Sequence, residues 1–182
     1  MSGRDIGSRI RQKRLERGLS LKDLAQAIGK TPSFLSQVER DLAEPSITSL
    51  RDIGKALEVP IFYFFMDAQE RGPVVRRDQR KIITFPGYQL AFELLSPSLN
   101  REMEIIQGRL KPGGMTCETP LPHPGEEATL VLTGRMEIQV GSDCYFLEEG
   151  DCIYYYASVP HKIVNIGDGE LIFVSAITPP SF

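Results

Sequence analysis

The fold of the N-terminal part of the chain is predicted from one stretch, Leu21-Lys-Asp-Leu-Ala-Gln-Ala-Ile-Gly-Lys-Thr-Pro-Ser-Phe-Leu-Ser-Gln-Val-Glu-Arg40. Its first apolar residues recur at helical spacing as far as Ile28. Gly29 ends this helix, because a left-handed residue at a helix C-terminus is least costly as glycine. Thr31 then caps a second helix, in which Pro32 takes the first position. The stretch therefore predicts two short helices joined by a tight turn.

The second helix keeps a polar face exposed when its apolar residues, Leu35 and Val38, face the core. A helix placed after such a turn fits the major groove of DNA, where glutamine can pair with adenine and serine can bond to several base edges. Phe34 could lie against a thymine methyl group or fill space within the domain. The alternative is a generic helical hairpin with a solvated outer face. The candidate DNA-binding residues are Lys30, Thr31, Pro32, Ser33, Phe34, Ser36, Gln37 and Arg40.

The flanking sequence agrees with a small helical DNA-binding domain. Up to Lys22 the chain carries seven basic and two acidic residues, and such an excess suits a phosphate backbone. Ser20 and Ser46 are predicted helix caps, and the apolar segment 61–66 is expected to close the bundle. The apolar positions of the first and fourth helices are Ile6, Ile10, Leu15, Ile47, Leu50, Ile53 and Leu57.

A resemblance rests on Leu24, Ala25, Gly29, Leu35, Val38, Glu39 and the segment 46–57. With these residues in place, residues 6–66 resemble the five-helix DNA-binding domain of repressors of the lambda and Xre type. The resemblance implies that the helix from Pro32 to about Arg40 is the recognition helix. It also implies that Ser33 and Gln37 carry most of the base readout.

The same resemblance changes the role expected of three residues. Pro32 stands where some phage repressors have a glutamine, and its side chain cannot hydrogen-bond to a base. Arg14 and Glu39 stand where the family has an internal ion pair, so Arg14 is not counted among the DNA contacts.

Composition fits one large or two small domains. The chain has 182 residues, of which 41% are hydrophobic, so a core is possible. No apolar run reaches membrane-spanning length, and the N-terminus is too polar for a signal peptide. The three cysteines, Cys117, Cys144 and Cys152, have neither paired spacing nor an even count, which favours a reduced, cytoplasmic protein. We expect these cysteines in the core.

Charge is spread unevenly along the chain. The net charge is −3, yet residues 1–72 carry two more basic than acidic groups, and the remainder carries five more acidic than basic groups. An acidic C-terminal part therefore masks a slightly basic N-terminal part, and the local field is what DNA would meet.

The sequence changes character after residue 70. Residues 71–81 are polar, basic and contain Gly and Pro, as expected of a linker. Short β-prone runs then alternate with turn residues, which predicts a β-sandwich or barrel. We predict a DNA-binding domain at 1–68, a linker at 69–81 and a β-domain at 82–182. The predicted strands are Ile82–Phe85, Gln89–Leu94, Met103–Leu110, Thr129–Leu132, Met136–Val140, Cys144–Leu147, Cys152–Tyr156, Lys162–Asn165 and Leu171–Ile177.

The β-domain holds both histidines of the chain. Residues 122–127 with Gly134, and later residues 150–165, resemble the two motifs of the cupin family over roughly residues 105–178. A cupin is a small jelly-roll β-barrel with its site inside. The fold class implied for the whole chain is thus multi-domain, an α-helical bundle followed by an all-β barrel. The residues that the motifs would bring together are His123, Glu127 and His161.

These three side chains could hold a divalent metal. Imidazole and carboxylate suit Zn, Fe, Ni or Mn, and two histidines with one carboxylate form a facial triad with open positions. The metal-binding form of the family has another histidine where this chain has Leu121, which favours a barrel without metal. In that alternative His123 and His161 only hydrogen-bond within the barrel or to an organic ligand. Both alternatives are carried forward.

Other candidates for the pocket are less specific. Arg109 could bind a carboxylate if its side chain points inward, or it could lie on the surface. The Tyr154–Tyr156 run must send alternate side chains to opposite faces of its strand. The candidate effector-binding residues are Arg109, His123, Glu127 and His161.

These patterns predict a transcriptional regulator that is not an enzyme. It would bind a double-stranded DNA operator as a homodimer, pair through its β-domain and sense a small-molecule effector there. One alternative is a metal-dependent cupin enzyme tethered to DNA. Another is a constitutive regulator whose barrel serves only for dimerisation.

Overall fold

The computed structural model describes residues 6–65 and 72–182, and these fall into a helical unit and a β-unit. Residues 66–71 lie outside the described part, and they include Met66 of the predicted apolar segment and the start of the predicted linker. The boundary at 68 lies outside the described residues, and both it and the boundary at 81 stay predictions. Residues 1–5, with the basic Arg4, also lie outside it.

The described part of the helical unit has four α-helices and one 3-10 helix. The fifth element predicted by the resemblance is thus present as a tighter helix. The bounds are α1 (Ile6–Glu16), α2 (Leu21–Ala27), α3 (Pro32–Glu39), α4 (Ile47–Leu57) and the 3-10 helix Ile61–Phe65.

The helix boundaries follow the predicted capping residues. The Ser20 hydroxyl accepts the Asp23 N–H at 3.1 Å and the Asp23 carboxylate accepts the Ser20 N–H at 2.9 Å, a complete capping box. Thr31 caps α3 by accepting the Phe34 N–H at 3.1 Å. Gly29 has a φ of +64° between α2 and α3. The predicted turn is therefore confirmed.

The core of the helical unit contains most of the predicted apolar residues, although Ile6 and Leu21 are only half-buried. Leu24, Ala25, Leu35 and Val38 are buried, so α2 and α3 pack through these side chains. Leu15 was expected among the apolar positions of α1, but its side chain is 58% exposed. The buried side of α1 consists of Gly7, Ile10 and Arg14.

The β-unit contains nine strands within its described residues. They are β1 (Lys81–Phe85), β2 (Leu90–Leu94), β3 (Glu104–Leu110), β4 (Glu126–Thr133), β5 (Met136–Val140), β6 (Asp143–Leu147), β7 (Cys152–Tyr156), β8 (His161–Asn165) and β9 (Leu171–Thr178). One antiparallel sheet has the order β1-β2-β3-β9-β4-β7 and the other the order β6-β5-β8. This all-β arrangement agrees with the predicted jelly-roll barrel.

The largest difference from the predicted strands is in β4, which begins at Glu126 rather than Thr129. The acidic pair Glu126-Glu127 has the composition of a loop, but each carboxylate has a partner. The Tyr154 hydroxyl donates to Glu126, and Glu127 faces two histidines inside the barrel. Tertiary contacts thus outweigh the low strand propensity of glutamate.

The tyrosine run alternates as predicted, while the cysteine prediction is wrong at two positions. Tyr155 is buried, and Tyr154 and Tyr156 are about two-thirds exposed. Cys117 is buried, but Cys144 and Cys152 are exposed, because they lie on β6 and β7 at the outer edges of the two sheets.

No helix in residues 6–65 or 72–182 combines the length and the hydrophobicity needed to cross a membrane.

Candidate functional site

Helix α3 presents a polar outer face. Its buried residues are Leu35, Val38 and Glu39. Because successive residues are about 100° apart around a helix, the direction opposite these three is centred on Ser33 and Gln37. The predicted DNA contacts that share this face are Ser33, Ser36, Gln37 and Arg40.

The remaining candidates on α3 flank this face. Phe34 is half-buried and therefore partly fills space within the unit. Lys30, Thr31 and Pro32 are exposed at the helix N-terminus, where the Thr31 hydroxyl is already used as the cap. Arg40 is exposed, and its Nε donates to the Ser36 carbonyl at 3.1 Å.

A buried ion pair fixes α3 against α1. Arg14 donates from Nε to Glu39 Oε1 at 2.6 Å and from its second terminal nitrogen to Oε2 at 2.9 Å, while the other terminal nitrogen donates to the Leu19 carbonyl at 2.7 Å. The hydrogen bond to Glu39 raises the pKa of Arg14 above its ordinary value. The predicted internal pair is confirmed, and Arg14 is not available to DNA.

The barrel brings His123, Glu127 and His161 together from three places in the chain. His123 lies just before β4, held by its N–H bond to the Ala157 carbonyl at 2.9 Å. Glu127 is on β4, and its side chain is on the inner face. His161 begins β8, where its backbone pairs with that of Leu121.

The three side chains form a compact buried cluster. Their potential ligand atoms all lie within 4.8 Å of one another. Glu127 Oε2 is 3.1 Å from His123 Nε2 and 3.6 Å from His161 Nε2. The two imidazole rings are 4.9 Å apart at 81°, and the Tyr155 ring lies 5.0 Å from that of His161. We call His123, Glu127 and His161 the inner cluster.

The other ring nitrogens determine which atoms face the cluster. His123 Nδ1 lies 3.2 Å from the Pro124 carbonyl oxygen, and His161 Nδ1 lies 2.9 Å from the Val159 carbonyl oxygen. A carbonyl oxygen only accepts, so each Nδ1 carries a proton and each neutral ring has a lone pair on Nε2. Both Nε2 atoms point at one carboxylate oxygen. Such an arrangement needs a positive charge between these atoms, either protons or a metal ion.

The electrostatics of Glu127 agree with this geometry. Burial of its carboxylate would by itself raise the pKa, but hydrogen bonding to His123 and the charges of His123 and His161 outweigh burial and lower it. The carboxylate is thus favoured in its ionised form. The cluster holds one anionic oxygen donor and two imidazole donors.

Two residues that the motif-based prediction missed contact the cluster. Thr129 Oγ1 donates to Glu127 Oε1 at 3.1 Å and lies 2.8 Å from Ser175 Oγ. Thr129 follows Glu127 by two residues on β4, so strand alternation could have indicated that it shares the inner face. Ser175 is brought there by the pairing of β9 with β4, which the sequence does not reveal.

Arg109 does not join the inner cluster. Its guanidinium bonds to Glu93 at 2.8 Å and to Glu170 at 3.1 Å, on the side of β3 opposite Ile106, Gly108 and Leu110. Burial alone would raise the pKa of Glu93, but the bonds from Arg109 and Arg80 lower it. The condition set for an effector role, an inward-pointing guanidinium, is not met.

Comparisons with known proteins match both units. The family model for a helix-turn-helix matches residues 10–64, and the model for a cupin domain matches residues 107–177. The HTH-type transcriptional regulator PuuR of Escherichia coli (strain K12) is 28% identical over 178 residues, covering 97% of this chain and 96% of PuuR. The HTH-type transcriptional regulator SutR of the same organism is 30% identical over 182 residues, with coverage of 97% and 96%.

A solved structure shows the same fold. The HTH_3 family transcriptional regulator from Vibrio cholerae superposes with a TM-score of 0.78 at 24% identity, covering 96% of this chain and 95% of that one. Two motif-bearing units in this order, with relatives that match along nearly the full length, establish the family. The chain belongs to the HTH-type transcriptional regulators that join an Xre-type helix-turn-helix domain to a cupin domain, and it is a DNA-binding protein.

Proposed function

We propose that this regulator binds its operator as a dimer, and that its cupin barrel holds a divalent metal to which a small-molecule effector binds. The observation that carries the proposal is the convergence of two Nε2 atoms on Glu127 Oε2, with both Nδ1 atoms bonded to backbone carbonyls. Metal-binding histidines characteristically donate their other N–H to a carbonyl or carboxylate in this way.

The donor set fits a transition metal. At metal–ligand distances of about 2.1 Å, neighbouring ligand atoms lie about 3.0–3.4 Å apart. In the inner cluster the His123 nitrogen–oxygen distance of 3.1 Å falls within this range, and the His161 distance of 3.6 Å lies slightly above it. His123, Glu127 and His161 would hold the ion, and two imidazoles with a carboxylate suit Zn, Fe, Ni or Mn. With three protein ligands, the ion would offer open positions to donor atoms of an effector. The donor types and their proximity thus support the metal alternative.

The proposed DNA interface is the exposed face of α3, with Ser33 and Gln37 reading bases. Lys30 and Arg40, exposed at the two ends of α3, would contact phosphates, since phosphate contacts set position while base contacts specify sequence. A helix of eight residues reads few bases. Repressors with this motif therefore bind two half-sites about 34–36 Å apart as dimers.

We propose that the outer face of the six-stranded sheet pairs two copies. Leu130 of β4 is exposed there opposite Cys152 of β7, and the exposed Tyr154 lies two residues further along β7. In the strand register Leu130 lies between Cys152 and Val174, and Tyr154 lies opposite Ala128, so apolar residues adjoin one another across three strands. Exposed apolar patches with polar surroundings characteristically mark interaction sites. A second copy is the occupant that two-fold operator binding requires.

Replacing Gln37 with alanine is expected to reduce discrimination between the operator and a base-substituted site by about 1–3 kcal/mol for each lost bidentate contact. Fluorescence anisotropy with both DNA sequences measures this difference, and the same titration is expected to give two chains for each operator. Gln12→Ala, on the exposed side of α1, is the matched control and should leave the ratio unchanged. Equal discrimination by the wild type and Gln37→Ala, or one chain for each operator, would contradict the proposal.

Operator affinity should also depend on the occupant of the barrel. An effector shifts DNA affinity only by its different affinity for the two states, and such couplings typically amount to about 5–150-fold. Metabolites that raise the melting temperature of the metal-loaded protein are selected first, and operator affinity is then measured with each. The response should disappear after chelation and in His161→Ala. A wild type without any such response would instead support the constitutive regulator, and turnover of the bound molecule would support the enzyme.

A further inference from the structure

We infer that Thr129 and Ser175 are positioning residues that hold Glu127 as a ligand through one oxygen only. The inference rests on the metal site proposed above. Its starting observation is a pair of hydroxyl groups that are completely buried in the barrel, each with 0% exposure. Buried polar groups cost free energy unless they are hydrogen-bonded, so two hydroxyls in a core call for a specific partner.

The cross-strand neighbours of the two hydroxyls are apolar. Thr129 lies opposite Ser175 in the register of β4 and β9. The next residues along that row are Ile153 of β7 and Ile106 of β3. Valine and alanine would fill these positions with less desolvation cost if packing were the only requirement.

The hydrogen bonds form a chain that ends on Glu127. The single proton of the Thr129 hydroxyl is donated to Glu127 Oε1 at 3.1 Å. The Thr129 oxygen then accepts the Ser175 proton at 2.8 Å. Both protons are therefore directed towards the carboxylate.

These hydrogen bonds give the two carboxylate oxygens of Glu127 different partners. Oε1 is occupied by the Thr129 hydroxyl, and Oε2 faces the two Nε2 atoms. A carboxylate held in this manner can offer one oxygen to an ion without rotating. Because Oε1 stays hydrogen-bonded to Thr129, it does not bind the ion. The coordination position that Oε1 would otherwise take remains open for an effector.

Cobalt(II) provides the probe, because the intensity of its visible absorption depends on the number and geometry of its ligands. Titrations with Co²⁺ are made on the full chain as wild type, Thr129→Val, Thr129→Ser and Ser175→Ala. Thr129→Val keeps the shape but removes the proton, and it is expected to lower Co²⁺ affinity by about 10–100-fold, as losses of outer-shell partners do. It should also change the absorption spectrum, since Oε1 becomes free to bind the ion. Thr129→Ser should restore both wild-type properties.

Thr84→Val on the exposed side of β1 is the matched control and should leave affinity and spectrum unchanged. Ser175→Ala should shift both readouts in the same direction as Thr129→Val, and it tests the inference if Thr129→Val does not fold. Wild-type affinity and spectrum in folded Thr129→Val or Ser175→Ala would overturn the inference while leaving the metal site intact. A wild type that does not bind Co²⁺ would overturn the proposed metal site and this inference together.

Discussion

Glu39→Gln is expected to destabilise the helical unit by about 3–5 kcal/mol, because it leaves a buried guanidinium without its counter-charge. Arg14 and Glu39 are both buried and share two hydrogen bonds of 2.6 and 2.9 Å. A loss of this size is a large share of the about 5–15 kcal/mol by which domains are stable. Thermal unfolding followed by helical circular dichroism measures it, and operator binding should be lost at temperatures where the wild type still binds.

Two variants separate the buried pair from ordinary surface charge. Glu58→Gln removes the partner of Arg17 on the surface, where a salt bridge contributes little, so its melting temperature should match the wild type. The double variant Arg14→Met with Glu39→Leu should recover much of the lost stability, because apolar residues of similar volume can replace a buried pair. A Glu39→Gln variant as stable as Glu58→Gln would show that the pair is dispensable.

The helical unit could be predicted in detail because its determinants are local. Caps at Ser20 and Thr31, Gly29 in the turn and Pro32 at the start of α3 act within a few residues of one another. Leu15 marks the limit of this approach. Its helical position suggested burial, but whether a side chain of α1 is covered depends on the elements packed against it, and here Arg14 takes the inner place.

The strands and motifs of the barrel were predicted from the sequence, but the contacts between side chains inside it were not. The resemblance to the cupin motifs implied that His123, Glu127 and His161 converge, and the structure brings their potential ligand atoms within 4.8 Å of one another. The direction of the ring nitrogens depends on carbonyl groups of Pro124 and Val159, which only the folded loops bring into position. Ser175 is 48 residues beyond Glu127 in the numbering, and only the pairing of β9 with β4 makes it a neighbour.

Arg109 shows why strand register matters for function. A guanidinium on a barrel strand can face either a ligand or the outer surface, and a shift of one residue exchanges the two faces. In this register Arg109 faces outward, between Glu93 and Glu170. The inner face of β3 carries Ile106, Gly108 and Leu110 instead. An effector in the barrel is therefore not expected to be a carboxylate recognised by Arg109.

Leu121→His is expected to raise divalent-metal affinity by more than about 10–100-fold. Residues that only hydrogen-bond to metal ligands already contribute a factor of this size, and a direct ligand should contribute more. The backbone of Leu121 pairs with His161 in both directions, and Leu121 precedes His123 by two residues in extended chain. Alternation along extended chain gives positions 121 and 123 the same side, so the new imidazole would be a fourth ligand. Competition with a chromophoric chelator measures the dissociation constant of Zn²⁺ for the variant and the wild type.

The pH dependence of the same measurement identifies the source of the gain. A histidine binds metal only when its ring is neutral, and its unperturbed pKa is about 6.5. One additional imidazole ligand must lose one additional proton, so the affinity of Leu121→His should fall more steeply than that of the wild type as the pH decreases through this range. Leu121→Phe changes the side chain without adding a donor and should retain the wild-type slope. If Leu121→His binds Zn²⁺ no more tightly than Leu121→Phe, position 121 does not face the inner cluster. A side chain at this position then cannot add a fourth ligand to the three of the inner cluster.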